Sequence, residues 1–393
     1  MVIRLKKNKE KAVLNFHPWV FSGAVESVAE GTSAGDIVEV QAHDGSFLAW
    51  GFYEPGSQIR IRLFSFRKTE DGKNKDYWFE KWKAILHLKQ SCLPKETNGF
   101  RLFHSEGDGV PGLVVDVYDK TAVLQLKTPG AIRLRKDLVQ FLDAMGFETI
   151  IEKRDKKEDP KGESFSLLKG TLTETKFLEH GIHFLADLPF GQKTGFFLDQ
   201  RDNRLLLGSY AKNKTVLNTF AYTGAFSIYA LLNGAKLVHS LDISKQALDL
   251  CEKNLMLNGL TKEIETGKHK SLVMDSFDYL KNMETGFYDL IVLDPPAFTK
   301  NVSTVMQASR GYKEINMKAI SKVKEGGLVF TFSCSQHISG DLFKKIVFGA
   351  AKDARKKVRV LHHLTQSPDH GYSIFHPEGE YLKGLVIQVD GEI

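Results

Sequence analysis

The feature that most constrains the fold is a strict alternation of strand-like and helix-like segments in the C-terminal half of the chain. From Lys214 onward, apolar runs such as TVLNTF, LVHSLDI and YDLIVLD alternate with amphipathic segments such as SKQALDLCEKNLMLN. Repeated βα units build a parallel sheet that helices cover on both faces. The last run, EYLKGLVIQVD, follows an irregular segment instead of a crossover helix, so this strand can enter antiparallel. We therefore predict an α/β fold with a doubly wound sheet.

The N-terminal half carries two different patterns. Residues 1–70 contain short strand-like runs separated by turn signals, among them Asp44-Gly45, and this predicts a small all-β domain. The polar run KTEDGKNKD marks a linker. Residues 74–187 then combine a predicted helix over 77–91, the strand-like runs FRLFHSE, GLVVDVYD and TAVLQLKT, and a second predicted helix, IRLRKDLVQFLDAM. We expect an α+β connector domain there.

Length and cysteine usage exclude several classes of protein. The 393 residues exceed the roughly 100 to 200 of one ordinary domain, so two or three domains are expected. The three cysteines include no CxxC pair, so neither a disulfide framework nor a structural zinc site is supported, and we expect no metal. The chain starts without the apolar core of a signal peptide, and no stretch approaches the roughly 18 apolar residues of a membrane helix. We expect a cytoplasmic protein without a membrane partner.

Basic residues cluster near the N-terminus, although the net charge of the whole chain is only +6. The first cluster contains Arg4 and the lysines of KKNKEK, and the second contains Arg60, Arg62, Arg67 and Lys68. Such clusters can contact the phosphates of a nucleic acid. Residues 1–70 nevertheless hold nine Lys and Arg against eight Asp and Glu, so a solvated surface of mixed charge is the alternative.

Four strand ends of the predicted sheet carry residues suited to ligand binding, since open α/β sheets bind ligands at the carboxyl ends of their strands. After the first strand, YTGAF has one glycine, Gly224, where a dinucleotide site has several. Asp242 can accept hydrogen bonds from ribose hydroxyls, and Asp275 from an adenine amino group. The fourth strand ends in Asp294-Pro295-Pro296-Ala297-Phe298, where two prolines stiffen the loop. These features predict a site for an adenosine ligand without phosphate, of which S-adenosylmethionine is the common one.

Each of these features also has a structural interpretation when taken alone. A strand-end aspartate is often a helix cap, and YTGAF is a plausible tight turn. Asp294 could cap the turn before its two prolines. The order of all four along the chain favours the binding site.

A series of segments resembles a known enzyme family. LNTFAYTGAF, LDIS, VMDS, LDPPAF and FTFSCS resemble the motifs of the class I methyltransferases that make 5-methylcytosine in bacterial 23S rRNA, the RlmI type. GQKTGFFLDQRDNR is similar to that family's signature before the first strand, and HPWVFSGAV with SQIRIRLFSF resembles its PUA RNA-binding domain. The resemblance spans nearly the whole chain. It implies a PUA domain over 1–70, the connector over 74–187 and a Rossmann-like methyltransferase domain over 190–393, which acts on 23S rRNA or a large-subunit precursor with S-adenosylmethionine as cofactor.

The resemblance, together with the strand-end pattern, implies roles for individual residues. The implied cofactor contacts are Gln200, Arg201, Phe220, Tyr222, Thr223, Gly224, Asp242, Ile243, Asp275, Ser276 and Asp294. The implied substrate contacts are Pro295, Pro296, Phe298 and His370. For Gln200 and Arg201 the alternative is a structural ion-pair cluster with Arg204, and for His370 it is a solvated loop position.

Cys334, at the carboxyl end of the fifth strand, decides the reaction. Carbon 5 of cytosine is too electron-poor to take a methyl group directly, whereas a thiolate that adds to carbon 6 creates an enamine that can. We therefore predict Cys334 as the nucleophile, with a buried structural cysteine as the alternative, and Asp294 as a catalytic contact to the target ring. Cys251, on an apolar helix face, and Cys92, before a proline-bearing loop, are predicted to be buried structural cysteines.

Two other functions stay open on the sequence. Asp-Pro-Pro loops also serve methyltransferases that act on an exocyclic amine, guanine N2 or adenine N6, but those usually place an aromatic ring where this chain has Ala297. A non-catalytic RNA-binding or ribosome-assembly factor with the same fold is the second alternative. A nicotinamide dehydrogenase is disfavoured by the missing glycines. The sequence also leaves open a homodimer and the identity of the modified nucleotide.

Overall fold

The structure is a computed structural model that describes residues 1–154, 165–172, 174–188, 191, 193–299 and 301–393. The chain forms two compact units, each built from separate stretches of sequence. The first comprises Met1–Gly181, Ala186–Leu198 and Pro368–Gly379, and the second comprises Ile182–Leu185, Asp199–Ser367 and Glu380–Ile393. The predicted start of a methyltransferase domain at residue 190 lies outside the described residues, and the predicted domain boundaries stay a prediction.

Eleven of the twelve described strands of the first unit form two sheets, and β12 lies in neither of them. The twelve strands are β1 (Val2–Leu5), β2 (Trp19–Phe21), β3 (Val25–Val28), β4 (Ile37–Gln41), β5 (Phe47–Tyr53), β6 (Ile59–Ser65), β7 (Gly99–His104), β8 (Leu113–Tyr118), β9 (Thr121–Leu126), β10 (Thr149–Lys153), β11 (Phe165–Lys169) and β12 (Thr175–Glu179). Its described helices are α1 (Lys11–Leu14), α2 (Lys75–Cys92), α3 (Pro129–Arg133) and α4 (Arg135–Ala144).

Residues 1–70 form a β-sheet and the short helix α1, as the turn signals predicted. The six strands of this sheet lie in the order β2-β6-β5-β4-β1-β3, and only β1 and β4 run parallel. The sequence reading missed β1, since its four-residue alternation is short and stands among lysines. Ile3 and Leu5 are nevertheless fully buried, so the alternation marks a true core face.

The connector forms a second sheet in the order β11-β10-β9-β8-β7. Trp78 and Trp82 on α2 are buried in a hydrophobic core together with residues of this sheet, such as Phe103. The predicted second helix is two helices, α3 and α4, because Thr128 caps α3 through a 3.2 Å hydrogen bond from the Ala131 amide and Leu134 separates the two. The observed α+β arrangement agrees with the predicted fold class.

Buried polar contacts explain why Pro368–Gly379 belongs to the first unit. The Arg101 amide donates to Asp369 Oδ2 at 2.8 Å, and Lys89 Nζ donates to the Asp369 carbonyl at 2.7 Å. Lys89 also forms a 2.9 Å ion pair with Asp108, and both side chains are buried. Because buried charges are stable only with partners, these contacts hold a C-terminal segment against the connector.

The second unit contains the remaining described strands and helices. The strands are β13 (Ile182–Ala186), β14 (Thr215–Thr219), β15 (Leu237–Asp242), β16 (His269–Val273), β17 (Leu290–Leu293), β18 (Gly327–Ser333), β19 (Lys356–Leu364) and β20 (Lys383–Glu392). The helices are α5 (Arg201–Tyr210), α6 (Ala225–Leu232), α7 (Lys245–Leu257), α8 (Thr261–Glu265), α9 (Ser276–Asn282), α10 (Val305–Lys322) and α11 (Gly340–Asp353).

Seven of these strands form one sheet in the order β16-β15-β14-β17-β18-β20-β19. The first five run parallel, and β20 runs antiparallel to both β18 and β19. This confirms the predicted α/β class and the antiparallel last strand. Chain order reverses between β14 and β17, and at such a point the loops diverge and leave a crevice at the carboxyl ends of the strands.

The boundaries of the sheet strands follow burial. All seven residues of β18 are buried, because β17 and β20 flank it and helices cover both faces. β16 begins two residues earlier than the apolar run SLVMD suggests, at His269. Burial lowers the pKa of His269 to about 4, so the ring is neutral near neutral pH and its Nε2 pairs with Ser240 Oγ at 2.8 Å. Among the described residues, no helix is both long and apolar enough to cross a membrane.

Candidate active site

The loop after β14 has an unusual backbone. Phe220, Tyr222 and Gly224 have φ angles of 53°, 48° and 77°. A Cβ atom on Gly224 would stand 2.0 Å from the Sγ of Cys251, so only glycine fits between this loop and α7. Thr223 is buried, and its carbonyl accepts a 3.2 Å hydrogen bond from Asn254 of α7. The helix layer therefore fixes the shape of the loop.

Asp242, at the end of β15, holds the same loop from the other side. One carboxylate oxygen accepts from the Tyr222 amide at 2.9 Å, and the other accepts from the Ser244 amide at 2.8 Å. Each oxygen has a further lone pair, so the carboxylate can still accept hydrogen bonds from a ligand. Ile243 follows with 74% of its surface exposed. The two residues place a carboxylate beside an open apolar side chain.

Asp275, after β16, is the N-cap of α9. Its Oδ1 accepts from the amides of Phe277 at 2.8 Å and Asp278 at 3.1 Å, so the capping role considered for this residue is realised. Ser276 is buried in the first turn of the helix. The carboxylate is exposed and stays available at its second oxygen, and its contact to an adenine amino group stays a prediction.

The sequence reading missed Val273 and Met274, which are 55% and 49% exposed. Asp242 pairs with Val273 across β15 and β16, so these apolar side chains stand at the same edge of the sheet as Ile243. Two apolar residues at a strand end, where polar residues are usual, were the available signal. A carboxylate next to an exposed apolar surface fits an adenosine, whose ribose offers hydroxyl donors and whose adenine is a flat apolar ring.

The ends of β17 and β18 bring Cys334 to the Asp-Pro-Pro loop. The two strands are parallel neighbours, and Cys334 Sγ lies 3.9 Å from the carbonyl oxygen of Pro295. Cys334 and Asp294 are both partly exposed, whereas Pro295 is buried and Pro296 is exposed. The structure thus places the predicted nucleophile against the loop predicted to contact the target base.

Phe298, a predicted substrate contact, is partly enclosed by aromatic neighbours. Its ring centroid lies 4.5 Å from that of Tyr312 and 6.0 Å from that of Phe277. Tyr312 OH in turn pairs with Ser335 Oγ at 2.9 Å, next to Cys334. Phe298 therefore packs in an aromatic cluster beside Cys334, and its contact to a base stays a prediction.

Gln200 and Arg201 are buried at the start of α5, together with Arg204. Gln200 Oε1 accepts a 2.6 Å hydrogen bond from Asn203, and Arg201 lies 3.4 Å from Asp202. The contact of Gln200 and Arg201 to the cofactor stays a prediction. The structural ion-pair cluster that is the alternative for this segment stays a prediction as well.

His370 lies in the first unit, whereas Cys334 lies in the second. Its side chain is 1% exposed, its Nδ1 lies 3.4 Å from Asp369, and its ring centroid is 5.6 Å from that of His104. It is therefore a buried residue, and the solvated loop position considered for it is wrong. A substrate contact through His370 stays a prediction.

The other two cysteines differ from each other. Cys251 is fully buried, and burial raises the pKa of its thiol to about 12, so the structural role predicted for it is confirmed. The burial predicted for Cys92 is wrong, because this last residue of α2 lies beyond the final buried side chain of the helix, Lys89, and is exposed.

Lys383, at the start of β20, is a further residue of this region that the sequence reading missed. It is buried, and its Nζ donates to the carbonyl of Ser335 at 3.0 Å. The available signal was a lysine inside the apolar run YLKGLVIQV. Within the described ranges, no group of three or more His, Cys, Asp and Glu is arranged to hold a metal ion.

The chain is similar to known families and proteins over nearly its whole length. Residues 3–66 match the model of a PUA-like domain, and residues 141–369 match that of an S-adenosylmethionine-dependent methyltransferase. A protein from Alteromonas mediterranea named ribosomal RNA large subunit methyltransferase I is 38% identical over 391 residues, 98% of either chain. A protein of the same name from Escherichia coli strain SMS-3-5 is 38% identical over 401 residues, again 98% of either chain.

Two solved structures share the fold along nearly the full length. A Streptococcus mutans chain described as a candidate S-adenosylmethionine-dependent methyltransferase is 24% identical, with a TM-score of 0.84 over 99% of this chain and 100% of that one. The structure of SMU.776, solved in complex with SAH, is 24% identical, with a TM-score of 0.85 and the same coverage. At this identity the likeness shows the fold alone, and it agrees with the predicted fold class.

Proposed function

Because this chain belongs to the ribosomal RNA large subunit methyltransferase I family, we propose that it transfers the methyl group of S-adenosylmethionine to carbon 5 of a cytosine in 23S rRNA. Family membership makes it an S-adenosylmethionine-dependent methyltransferase of large-subunit rRNA. The choice of carbon 5 rests on one observation, the 3.9 Å approach of Cys334 Sγ to the Pro295 carbonyl. Methylation of an amino group needs no thiol, whereas methylation of carbon 5 needs a nucleophile at the base.

Cys334 is the nucleophile of this proposal. Its thiolate adds to carbon 6 of the cytosine, which forms a sulfur–carbon bond and moves the electron pair of the C5=C6 bond to carbon 5. Bound S-adenosylmethionine supplies the methyl group as an electrophile, and carbon 5 takes it up. A base then removes the proton from carbon 5, the C5=C6 bond re-forms, and the bond between carbon 6 and sulfur breaks to return the thiolate.

The loops at the other strand ends would hold the cofactor. Asp242 would accept hydrogen bonds from the ribose hydroxyls with the lone pairs that the Tyr222 and Ser244 amides leave unused. Ile243 would cover the adenine, since its side chain is 74% exposed beside this carboxylate. Asp294, between the two sites, would contact the amino group of the target cytosine. The hydrogen bonds of Asp242 and the exposure of Ile243 support the first two roles, and the position of Asp294 directly after β17 supports the third.

The first unit would dock the RNA. We propose the division that the sequence suggests, with a PUA-like domain over 1–70, a connector over 74–187 and a methyltransferase domain over 190–393. The PUA-like match over 3–66 and the exposed side chains of Lys6, Lys7, Lys9 and Lys11 support a phosphate-binding surface there.

The test combines one substitution with one chemical trap. Purified protein and Cys334→Ala are incubated with S-adenosylmethionine and large-subunit rRNA that lacks the modification, and the nucleosides are identified by mass spectrometry. We expect 5-methylcytidine with the unchanged protein and a loss of at least about 1000-fold with Cys334→Ala. Cys92→Ala is the matched control, since it also removes a thiol, but an exposed one at the end of α2, and it should keep activity.

RNA with 5-fluorocytidine at the target position should form a covalent adduct with the unchanged protein. Fluorine at carbon 5 cannot leave as a proton, so the release of the thiolate stalls after methyl transfer. Methylation mapped to guanine N2 or adenine N6, or full activity of Cys334→Ala, would replace this proposal with amine methylation. Binding of RNA without any methyl transfer would favour the ribosome-assembly factor.

A further inference from the structure

Lys383 lies beside the segment that carries Cys334. Its backbone pairs with Ser333 in the antiparallel ladder of β18 and β20. Its Nζ donates to the carbonyl of Ser335 at 3.0 Å and to the carbonyl of Tyr381 at 2.8 Å. Lys383 therefore contacts the residue before Cys334 through its backbone and the residue after it through its side chain.

The burial of Lys383 is costly and calls for a physical reason. Its side chain is 7% exposed, and among the described residues it forms no ion pair with a carboxylate. Lys89 of the first unit is buried to a similar degree, but it forms an ion pair with Asp108 at 2.9 Å. A buried ammonium group is stable when a negative charge or enough hydrogen bonds offset its lost hydration. The Nζ of Lys383 has two backbone carbonyls as hydrogen-bond acceptors, and the negative charges that act on it are those of Glu380 and of Cys334 when its sulfur is ionised.

We propose that Lys383 is a positioning residue for Cys334, whose ammonium group stabilises the thiolate and whose hydrogen bond to Ser335 fixes the strand end that carries it. The inference rests on the proposed function in one respect, that Cys334 is the nucleophile. A positive charge beside a thiol favours the ionised form, which is the form that attacks carbon 6. The residue acts through Cys334 and not on the substrate.

The ionisable groups around the pair set the expected pH dependence. They are Asp294 in the loop against which Cys334 lies, Tyr312 on α10, which bonds to Ser335 Oγ, and Glu380 just before β20. Burial lowers the pKa of Lys383 to about 8, while the charges of Glu380 and Cys334 act in the opposite direction. The ammonium charge is therefore present below about pH 8 and fades above it. Support for the thiolate should be strongest at neutral pH.

Alkylation of the thiol tests this inference without any RNA. The rate at which iodoacetamide modifies Cys334 is followed against pH by mass spectrometry of its peptide, in the full chain and in Lys383→Met, Lys383→Gln and Lys383→Arg. We expect Met and Gln to slow alkylation at neutral pH about tenfold and to move the rate curve upward by about one pH unit. Lys383→Arg should stay close to the unchanged protein. Exposed Cys92 is the internal control and should react alike in all four.

The outcomes separate charge from packing. Lys383→Gln keeps a donor for the Ser335 carbonyl but has no charge, so a Gln variant that reacts like the Arg variant would overturn the inference. If Lys383→Met does not fold, the Gln and Arg variants still decide it. Loss of methyl transfer with unchanged cofactor affinity in the Gln variant would support it further. A shifted alkylation curve in a protein that methylates an exocyclic amine would keep the coupling of Lys383 to Cys334 and reject the proposed cytosine chemistry.

Discussion

Two cysteines have opposite surroundings, one at the carboxyl edge of the large sheet and the other in the helix layer that packs on it. Cys334, at the edge, is partly exposed against the loop that follows β17. Cys251, on α7, is fully buried against Gly224, and burial raises the pKa of its thiol to about 12. The chemistry of a thiol depends on solvent access and nearby charge, and these differ between the edge and the layer.

The comparison separates residues that shape the loops of the sheet from residues that remain open to a ligand. Residues of the helix layer shape the loops from below, as Cys251 and Asn254 do for Gly224 and Thr223. Residues of the edge, such as Asp242 and Ile243, retain lone pairs or open surface for a ligand. Substitutions in the layer should therefore change stability first, and substitutions at the edge should change binding or reactivity first.

The largest expected effect is the difference in reactivity between the two thiols. In the native protein, iodoacetamide should modify Cys334 at least about 1000-fold faster than Cys251. A thiol with a pKa of about 12 holds roughly one part in ten thousand as thiolate at about pH 8, and burial excludes the reagent as well. Peptide mass spectrometry measures both rates in one sample. Equal alkylation rates in the native protein would contradict the prediction. In denatured protein the two rates should be nearly equal.

Gly224 tests the contact between edge and layer. Gly224→Ala should lower the free energy of unfolding by roughly 2 to 4 kcal/mol, because the residue has a positive φ and its new Cβ would strike Cys251. The double variant Gly224→Ala/Cys251→Ala should recover roughly 1 kcal/mol of that loss, since the smaller side chain frees space. Denaturant titration of the three variants gives the coupling. Strictly additive losses would mean that the two residues do not press on each other.

For Asp242 we expect a substitution to change ligand binding more than stability. Asp242→Ala should weaken the binding of S-adenosylmethionine by roughly 1.5 to 3 kcal/mol, the scale of hydrogen bonds to a charged acceptor. Isothermal calorimetry measures this affinity. Asp249→Ala on α7 is the matched control, because that carboxylate is exposed and pairs only with Lys245 in the described structure. An unchanged affinity in Asp242→Ala would remove this residue from the site.

The smallest expected effect concerns Asp275, which lies at the edge but has a structural role as the N-cap of α9. Asp275→Ala should cost roughly 1 kcal/mol of stability, because it removes the N-cap of α9. Asp275→Asn should stay within a few tenths of a kcal/mol of the unchanged protein, since asparagine caps helices equally well. Thermal unfolding compares the three. If Asn destabilises as much as Ala, the carboxylate charge matters here and the cap does not explain the residue.

The sequence alone determined most of the large sheet. Its alternation of apolar runs and amphipathic segments predicted the parallel strands, and the missing crossover helix predicted that the last strand runs antiparallel. The strand ends predicted Asp242, Asp275 and Asp294 together as ligand-binding positions, and Cys334 was added at the end of the fifth strand after the resemblance to a known family. These features depend on local periodicity and on neighbours along the chain, which a sequence contains directly.

Only the tertiary structure decided which distant residues meet. β20 enters between β18 and β19, and this puts Lys383 opposite Ser333 and beside Cys334, although about 50 residues separate them along the chain. Asp369 folds with Arg101 and Lys89 of the first unit, so His370 is buried there. Strand order and long-range polar pairs depend on the packing of whole elements, whose free energy no local pattern contains. The position of Lys383 near Cys334 is therefore a property of the fold and not of any motif.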